Sequence, residues 1–223
     1  MSDYREFNKI PRLSRECVIT EKIDGTNAQI FVDDFGHVSA GNRTRWITPG
    51  DDNFGFAQWV AENSNELEGL GPGSHFGEWW GAGIQRGYGL TERRFSLFNT
   101  SRWADIHTLP FEGELGGRVF APNCCHVVPV MYSGVFDTAR VDLALSGLRC
   151  NGSAAAPAFA RAEGVVVYHV AGGHYYKKTC EHDDEPKNAH VKKERAPRPP
   201  KDPSKGGRRV AQVAYEGSDR RKA

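Results

Sequence analysis

Apolar and polar positions alternate along the first third of the chain. "CVITEKI" from Cys17, "NAQIFV" from Asn27 and "HVSAG" from His37 each read as strands, with "DDFG" (33–36) supplying the polar and glycine residues of a hairpin. An antiparallel meander is the simplest construction for this region. Between Phe54 and Leu70 the pattern changes to helical spacing, with Phe56, Ala57, Val60, Ala61 and Leu67 on one face. Gly69, Gly71, Pro72 and Gly73 then end it. "SHFGEWWG" and "RFSLFNTSRW" return to strand character, and "TARVDLALSGLR" (138–149) predicts a second helix closed by the loop "CNGSAAAP". The runs "EGVVVYHV" and "HYYKKT", separated by "AGG", predict a late hairpin. From about Pro186 the sequence becomes "PKNAHVKKERAPRPPKDPSKGGRR", too poor in apolar residues to supply a core. The expected organisation is a folded domain over residues 1–185 and a basic Pro/Lys/Arg-rich tail over 186–223, expected to be disordered.

Charge sharpens that division. The formal net charge of +1 balances 29 basic against 28 acidic residues. The balance is uneven along the chain: from Asp183 onward twelve Lys or Arg face seven acids, so the surplus positive charge lies in the tail. A basic, Pro-interrupted segment of this kind adds salt-sensitive affinity for phosphodiester backbones, or is simply solvated. Five cysteines, with no C-x-x-C spacing, argue against a zinc knuckle or a disulfide framework and fit a reducing compartment. No run approaches the length of a membrane span, so a cytoplasmic protein with no membrane partner is expected.

Five clusters carry candidate chemistry: "EKIDGTN" (21–27), "AGNRTRW", "FGEWWGAGIQRGYG", "RFSLFN", and "EGVVVY" with "YYKKT". Lysine suits a buried strand face poorly, because its ammonium must be paired, solvated or neutralised. Lys22, at the mouth of a strand beside an Asp-Gly turn, is therefore either a residue reaching to water or a nucleophile. A nucleophilic lysine needs desolvation or cationic neighbours, and Lys177 and Lys178 on a late strand are candidates for the latter. Strand alternation lets only one of those two enter a pocket, and Lys177 is favoured. Glu78 and Glu163, at strand ends, are candidate Mg²⁺ ligands, and Phe98 is a candidate stacking platform for a base. Trp79, Trp80 and Trp103 are expected in the core.

The order K-x-D-G, F-G-E, aromatic strand, E-G-V-V and lysine-bearing strand resembles the covalent nucleotidyltransferases, the polynucleotide ligases and capping enzymes. "EKIDGTN", "FGEWWGAGIQRGYG" and "FSLFN" look most like the RNA ligase 2 type of ATP-dependent RNA ligase, and the resemblance spans residues 17–182. It implies an α+β, antiparallel-sheet nucleotidyltransferase domain that uses ATP and Mg²⁺, with Mn²⁺ as the alternative. It also implies a three-step reaction. Lys22 attacks the α-phosphate of ATP to give lysyl-AMP; the AMP passes to a 5′-phosphate end; a 3′-hydroxyl displaces AMP and seals the strand. By the same resemblance Glu21 reads the adenine edge, Phe98 stacks on the base, Glu78 contacts the ribose and Arg43 holds sugar or phosphate. Glu163 organises the metal, and Lys177 with Lys178 grips the α-phosphate.

Within the motif, Asp24 and Gly25 are candidate nucleotide-site residues, with turn chemistry as the competing account. Asn27 is either a polar turn residue or a reader of the nucleic-acid end. Arg43 and Arg45 share a strand face in "NRTR" and compete with a reading as solvated charges. Glu114 of "FEGELGG" rivals Glu78 as the acid-bearing strand residue, but chain order favours Glu78 and makes "FEGELGG" a glycine-rich surface turn. The partner expected is RNA with 5′-phosphate and 3′-OH ends, and DNA is the alternative. After the last motif about forty polar residues follow, fewer and more polar than the extra C-terminal domain that many ligases carry requires. A minimal DNA ligase or a 5′-end adenylating enzyme is the nearest rival reading. A non-catalytic nucleotide- or nucleic-acid-binding module is the rival from another class.

Overall fold

A computed structural model of the protein describes residues 4–108, 115–181 and 183. Glu114, most of "FEGELGG" and the basic tail expected over 186–223 lie outside the described residues. Residues 1–184 make up one compact unit, and the fold below is that unit's.

The unit is α+β and its sheets are mainly antiparallel. One sheet has four strands: β1 (Glu16–Lys22), β10 (Val130–Val135), β11 (Gly164–His169) and β12 (His174–Thr179), in the order β10-β1-β11-β12. The other has six, in the order β4-β3-β2-β5-β6-β9. These are β2 (Thr26–Val32), β3 (Val38–Asn42), β4 (Trp46–Ile47), β5 (Gly73–Gly81), β6 (Arg93–Leu97) and β9 (Cys125–Val127). Only β9 joins its neighbour in parallel within that sheet. A small parallel pair, β7 (Trp103–Ala104) with β8 (Val119–Phe120), completes the described strands.

Each sheet buries one face under a helix. Along β1 the odd positions Cys17 and Ile19 are buried, with Val165 and Val167 of β11, beneath α3 (Thr138–Asn151) and its Val141, Leu145 and Leu148. Along the six-stranded sheet Ile30, Val32, Trp79, Phe95 and Leu97 pack against Phe56 and Val60 of α1 (Phe56–Glu62). Full burial of side chains of this size is worth roughly 1.5–3 kcal/mol each, so the two clusters hold the sheets' inner faces in place. Trp79, Trp80 and Trp103 are all buried, as their apolar bulk predicts. The Asp137 carboxylate caps α3 by accepting from the Ala139 N–H at 2.9 Å, and Gly152 ends the helix with φ +81°.

Two expectations are corrected. β1 and β2 are not a hairpin: they belong to different sheets, and 23–25 carries the chain from one to the other. The Asp-Gly pair reads locally as a hairpin turn, yet Gly25 is not among the positive-φ residues, and the segment is fixed by distant contacts described below. The helical pattern 54–70 is not one helix but α1, α2 (Ser64–Leu67) and a 3₁₀ turn Glu68–Leu70. Asn63 interrupts it: its side-chain Nδ2 and its backbone N–H both donate to the Trp59 carbonyl, at 2.8 and 3.0 Å. The β2–β3 and β11–β12 hairpins form as the pattern predicts. Among the described residues no helix is long and apolar enough to cross a membrane.

Candidate active site

The even residues of β1, Val18, Thr20 and Lys22, face away from α3. Register puts Val166, Tyr168, Tyr175 and Lys177 on that same face. The exposed face of the six-stranded sheet presents Asn27, Phe76 and Glu78, and Phe98 follows β6 directly. Between these two surfaces lies a cavity of about 850 Å³, lined by Glu21, Lys22, Asn27, Arg43, Glu78 and Phe98 among others.

Lys22 occupies the centre of the charge pattern. Its Nζ donates to Glu163 Oε2 at 2.6 Å, and both side chains are about one-fifth exposed, at 22% and 17%. Glu163 immediately precedes β11, whose first residue, Gly164, pairs with Lys22 and with Thr179. A Cβ at Gly164 would lie 2.2 Å from the Lys178 carbonyl, so only glycine lets the strands close up beside that carboxylate. Glu78 accepts from the Gly25 N–H at 3.1 Å. Burial pushes its carboxyl up to about 7, with Glu163 and Asp24 adding to the rise and Lys22 and the Gly25 N–H opposing it.

Glu21 points to the other side of β1 and is 1% exposed. Its Oε2 accepts from the N–H groups of Ala154 and Ala155, at 2.8 and 2.9 Å, in the loop after α3. Its Oε1 is the one buried side-chain N or O atom among the described residues without a hydrogen-bond partner. Burial raises the Glu21 carboxyl above its ordinary value despite those bonds. An orphaned buried acceptor is costly, on the order of 1–3 kcal/mol, and a ligand donor would relieve it.

The K-x-D-G turn is held by residues that pattern reading did not single out. Asp24 Oδ2 accepts from Arg86 Nε at 3.0 Å, and Arg86 Nη1 donates to the Arg161 carbonyl at 2.9 Å. The Asp24 N–H donates to Tyr88 Oη at 2.8 Å. Arg86 therefore bridges the turn after Lys22 to the segment leading into Glu163. Two residues around it, Gln85 and Tyr88, hold left-handed φ angles of 46° and 52°, a conformation non-glycine residues adopt only under constraint. Arg86 lies within the "GIQRGYG" stretch, but its partners are 62 and 75 residues away and leave no local signature.

Several predicted residues sit elsewhere than expected. Asp24 and Gly25 do not line the cavity. Asp24 is engaged by Arg86, and a Cβ at Gly25 would come within 2.5 Å of the Trp79 carbonyl, so both serve the crossing between sheets. Lys178 is on the opposite face from Lys177, paired with Asp142 of α3 at 2.8 Å. Its partner on β11 is the core residue Val165, which sets Lys178 on the α3 side of the sheet. Lys177 is exposed on the cavity side of the sheet, outside the cavity lining itself. Arg43 and Arg45 are not strand residues but lie in the turn after β3, where Asn42 Oδ1 accepts from the Thr44 and Arg45 N–H groups. Arg45 is ion-paired with Asp51, whereas Arg43 lines the cavity and has no partner among the described residues. Phe98 is half-buried beside Ile23, Trp80 and Val128, leaving part of its ring for a ligand.

The donor set suits a hard divalent cation. Glu78 lines the cleft and Glu163 is bonded to Lys22 at its edge, both offer carboxylate oxygens of the kind such a cation takes, and the charge of Glu163 is one cause of the high Glu78 value.

The chain belongs to the RNA ligase family, whose profile matches residues 15–182. Similar solved structures include Naegleria gruberi RNA ligase with ATP and Mn, at 18% identity and a TM-score of 0.48 over 74% of this chain and 50% of that one. The same ligase with PPi is 19% identical with a TM-score of 0.47 and the same coverage. The chain spans about half the length of those ligases. Comparison with curated proteins gives no match.

Proposed function

We propose that this chain is an ATP-dependent RNA ligase that joins 5′-phosphate and 3′-hydroxyl ends through a lysyl-AMP intermediate on Lys22. The observation carrying this reading is the Lys22 amine, 2.6 Å from Glu163, in a cleft whose lining also includes Glu21, Glu78 and Phe98. Adenine has a flat face for Phe98 and an exocyclic amine that can donate to Glu21 Oε1. Glu78 and Asn27 border the ribose position, and Arg43 and Lys177 supply positive charge for phosphates or the strand end.

In the first step Lys22 Nζ bonds to the α-phosphorus as the bond to the β-phosphate oxygen breaks and pyrophosphate leaves. The amine must shed its proton, and Glu163 is the base in contact with it. In the second step an oxygen of a 5′-phosphate attacks the same phosphorus and displaces Lys22. In the third the 3′-hydroxyl attacks the 5′-phosphorus and AMP departs. Mg²⁺ or Mn²⁺ held by Glu163 and Glu78 would neutralise phosphate charge. The relative from Naegleria gruberi bound to ATP and Mn supports the choice of cofactors.

Incubating the full chain with α-labelled ATP and Mg²⁺, then running a denaturing gel, tests the reading. Label on the wild type and none on Lys22→Ala is expected. An unlabelled wild type would favour the binding-module reading, and a labelled Lys22→Ala would move the nucleophile elsewhere. Offering 5′-phosphorylated RNA and DNA nicks in parallel separates RNA joining from DNA joining, and from simple adenylation of 5′ ends.

A further inference from the structure

Away from the cleft, Asp105, His107 and His126 bring one ligand atom each to within 4.8 Å of one another. Asp105 and His107 lie in the turn after β7, and His126 is the middle residue of β9. We propose that these three side chains form a transition-metal site of the zinc class, separate from the nucleotide cleft.

One distance within the group matches two ligands on one cation. His126 Nδ1 lies 3.4 Å from Asp105 Oδ2, longer than the charge-assisted hydrogen bond that a free carboxylate and imidazole would make. Two ligands at about 2.0 Å from a tetrahedral Zn²⁺ stand roughly 3.3 Å apart. The ligands are also oriented by outer partners. Asp105 is 7% exposed, and its two oxygens accept from the His107 and Val127 N–H groups at 2.9 and 3.0 Å, which leaves further lone pairs on each. His107 Nε2 donates to the Asn123 carbonyl at 3.0 Å, so its Nδ1 carries the lone pair. A ligand histidine typically gives its second nitrogen to such a carbonyl. The two imidazoles lie with ring centroids 4.3 Å apart and planes at 33°, so both rings stand together beside the Asp105 carboxylate.

Two nitrogens and one carboxylate oxygen suit Zn²⁺, Co²⁺ or Ni²⁺ rather than Mg²⁺, and water can complete the tetrahedron. A bound ion would tie the 105–107 turn to β9, which pairs with β6 just before Phe98. The site would therefore stiffen one wall of the cleft without touching it.

The test uses the full chain, stripped with chelator and held in excess Mg²⁺ so that oxygen sites are occupied. Zn²⁺ binding is measured by titration against a competing chelator, for the wild type, His107→Ala and His126→Ala, each also in a Cys124→Ser background to remove thiol binding. The proposal expects one tight equivalent in the wild type, weakened by about 100-fold or more in both variants, since even partners of a metal ligand contribute about 10- to 100-fold. It also expects Zn²⁺ to raise the melting temperature of the wild type only. His107 is exposed, so its loss should leave folding intact. Equal zinc affinity and stoichiometry in wild type and variants, or no tight equivalent in the wild type, would overturn it.

Discussion

The two sheets that enclose the cleft contribute differently. The four-stranded sheet carries the groups that the proposed reaction uses, with Lys22 at the end of β1, Glu163 just before β11 and Lys177 on β12. The six-stranded sheet contributes Glu78 from mid-strand β5 and Phe98 from the end of β6, residues that shape the cleft and hold charge. Lys22 and Glu163 sit at strand ends, where a side chain can lean into the cleft without opening a ladder, whereas Glu78 and Lys177 project from within their strands. The two sets work together only because the 23–25 crossing is clamped by Arg86, Tyr88 and Glu78.

Removing the nucleophile should have the largest effect. Lys22→Ala and Lys22→Arg should both leave no AMP on the protein while circular dichroism stays native, because a guanidinium remains protonated and cannot attack. Covalent label on Lys22→Arg, surviving boiling in detergent, would break the assignment of chemistry to the four-stranded sheet.

Next comes the clamp between the sheets. Arg86→Ala leaves the Asp24 carboxylate without its cation, and hydrogen bonds to charged groups of this kind contribute about 1.5–3 kcal/mol each. We expect a lower melting temperature and auto-adenylation slowed by at least about tenfold, with the loss in the maximal rate rather than in apparent ATP affinity, since Arg86 does not line the cleft. A loss confined to ATP affinity would instead make it a binding residue.

The Glu78 prediction concerns pH. Its folded carboxyl is raised to about 7 from an ordinary 4.5, so between those values the native state holds a proton that the unfolded chain has released. The contribution of Glu78 to stability is then fully present below about 4.5 and is lost as pH rises through 7, by roughly 3 kcal/mol in all. Glu78→Gln keeps the acceptor for Gly25 and should flatten that decline in denaturant melts from pH 5 to 8. An unchanged slope would mean that Glu78 is solvated enough to ionise normally.

The smallest effect separates neighbours on one strand. Lys178→Ala removes a largely exposed pair with Asp142 and should cost less than about 1 kcal/mol with adenylation unchanged. Lys177→Ala should leave stability alone and slow adenylation. The reverse pattern would mean that β12 presents its other face to the cleft.

Much of this architecture was legible in the chain. Alternation marked β1, β2, β5 and β11, helical spacing marked α3, and the ordered motifs pointed to Lys22, Glu78, Phe98 and Glu163, which the fold gathers around one cleft. Those features depend on residues close in sequence, or on motif order. Sheet membership does not: an Asp-Gly pair is equally compatible with a hairpin and with a crossing. The crossing is held by Arg86 and Glu78, 62 and 53 residues from their partners in the turn. Likewise alternation required Lys177 and Lys178 to part, but only the packing of Val165 under α3 decided which one faces the cleft. The orphaned Glu21 oxygen and the meeting of Asp105 with His126 belong to the same class, because burial and distance between remote residues exist only once the sheets have closed.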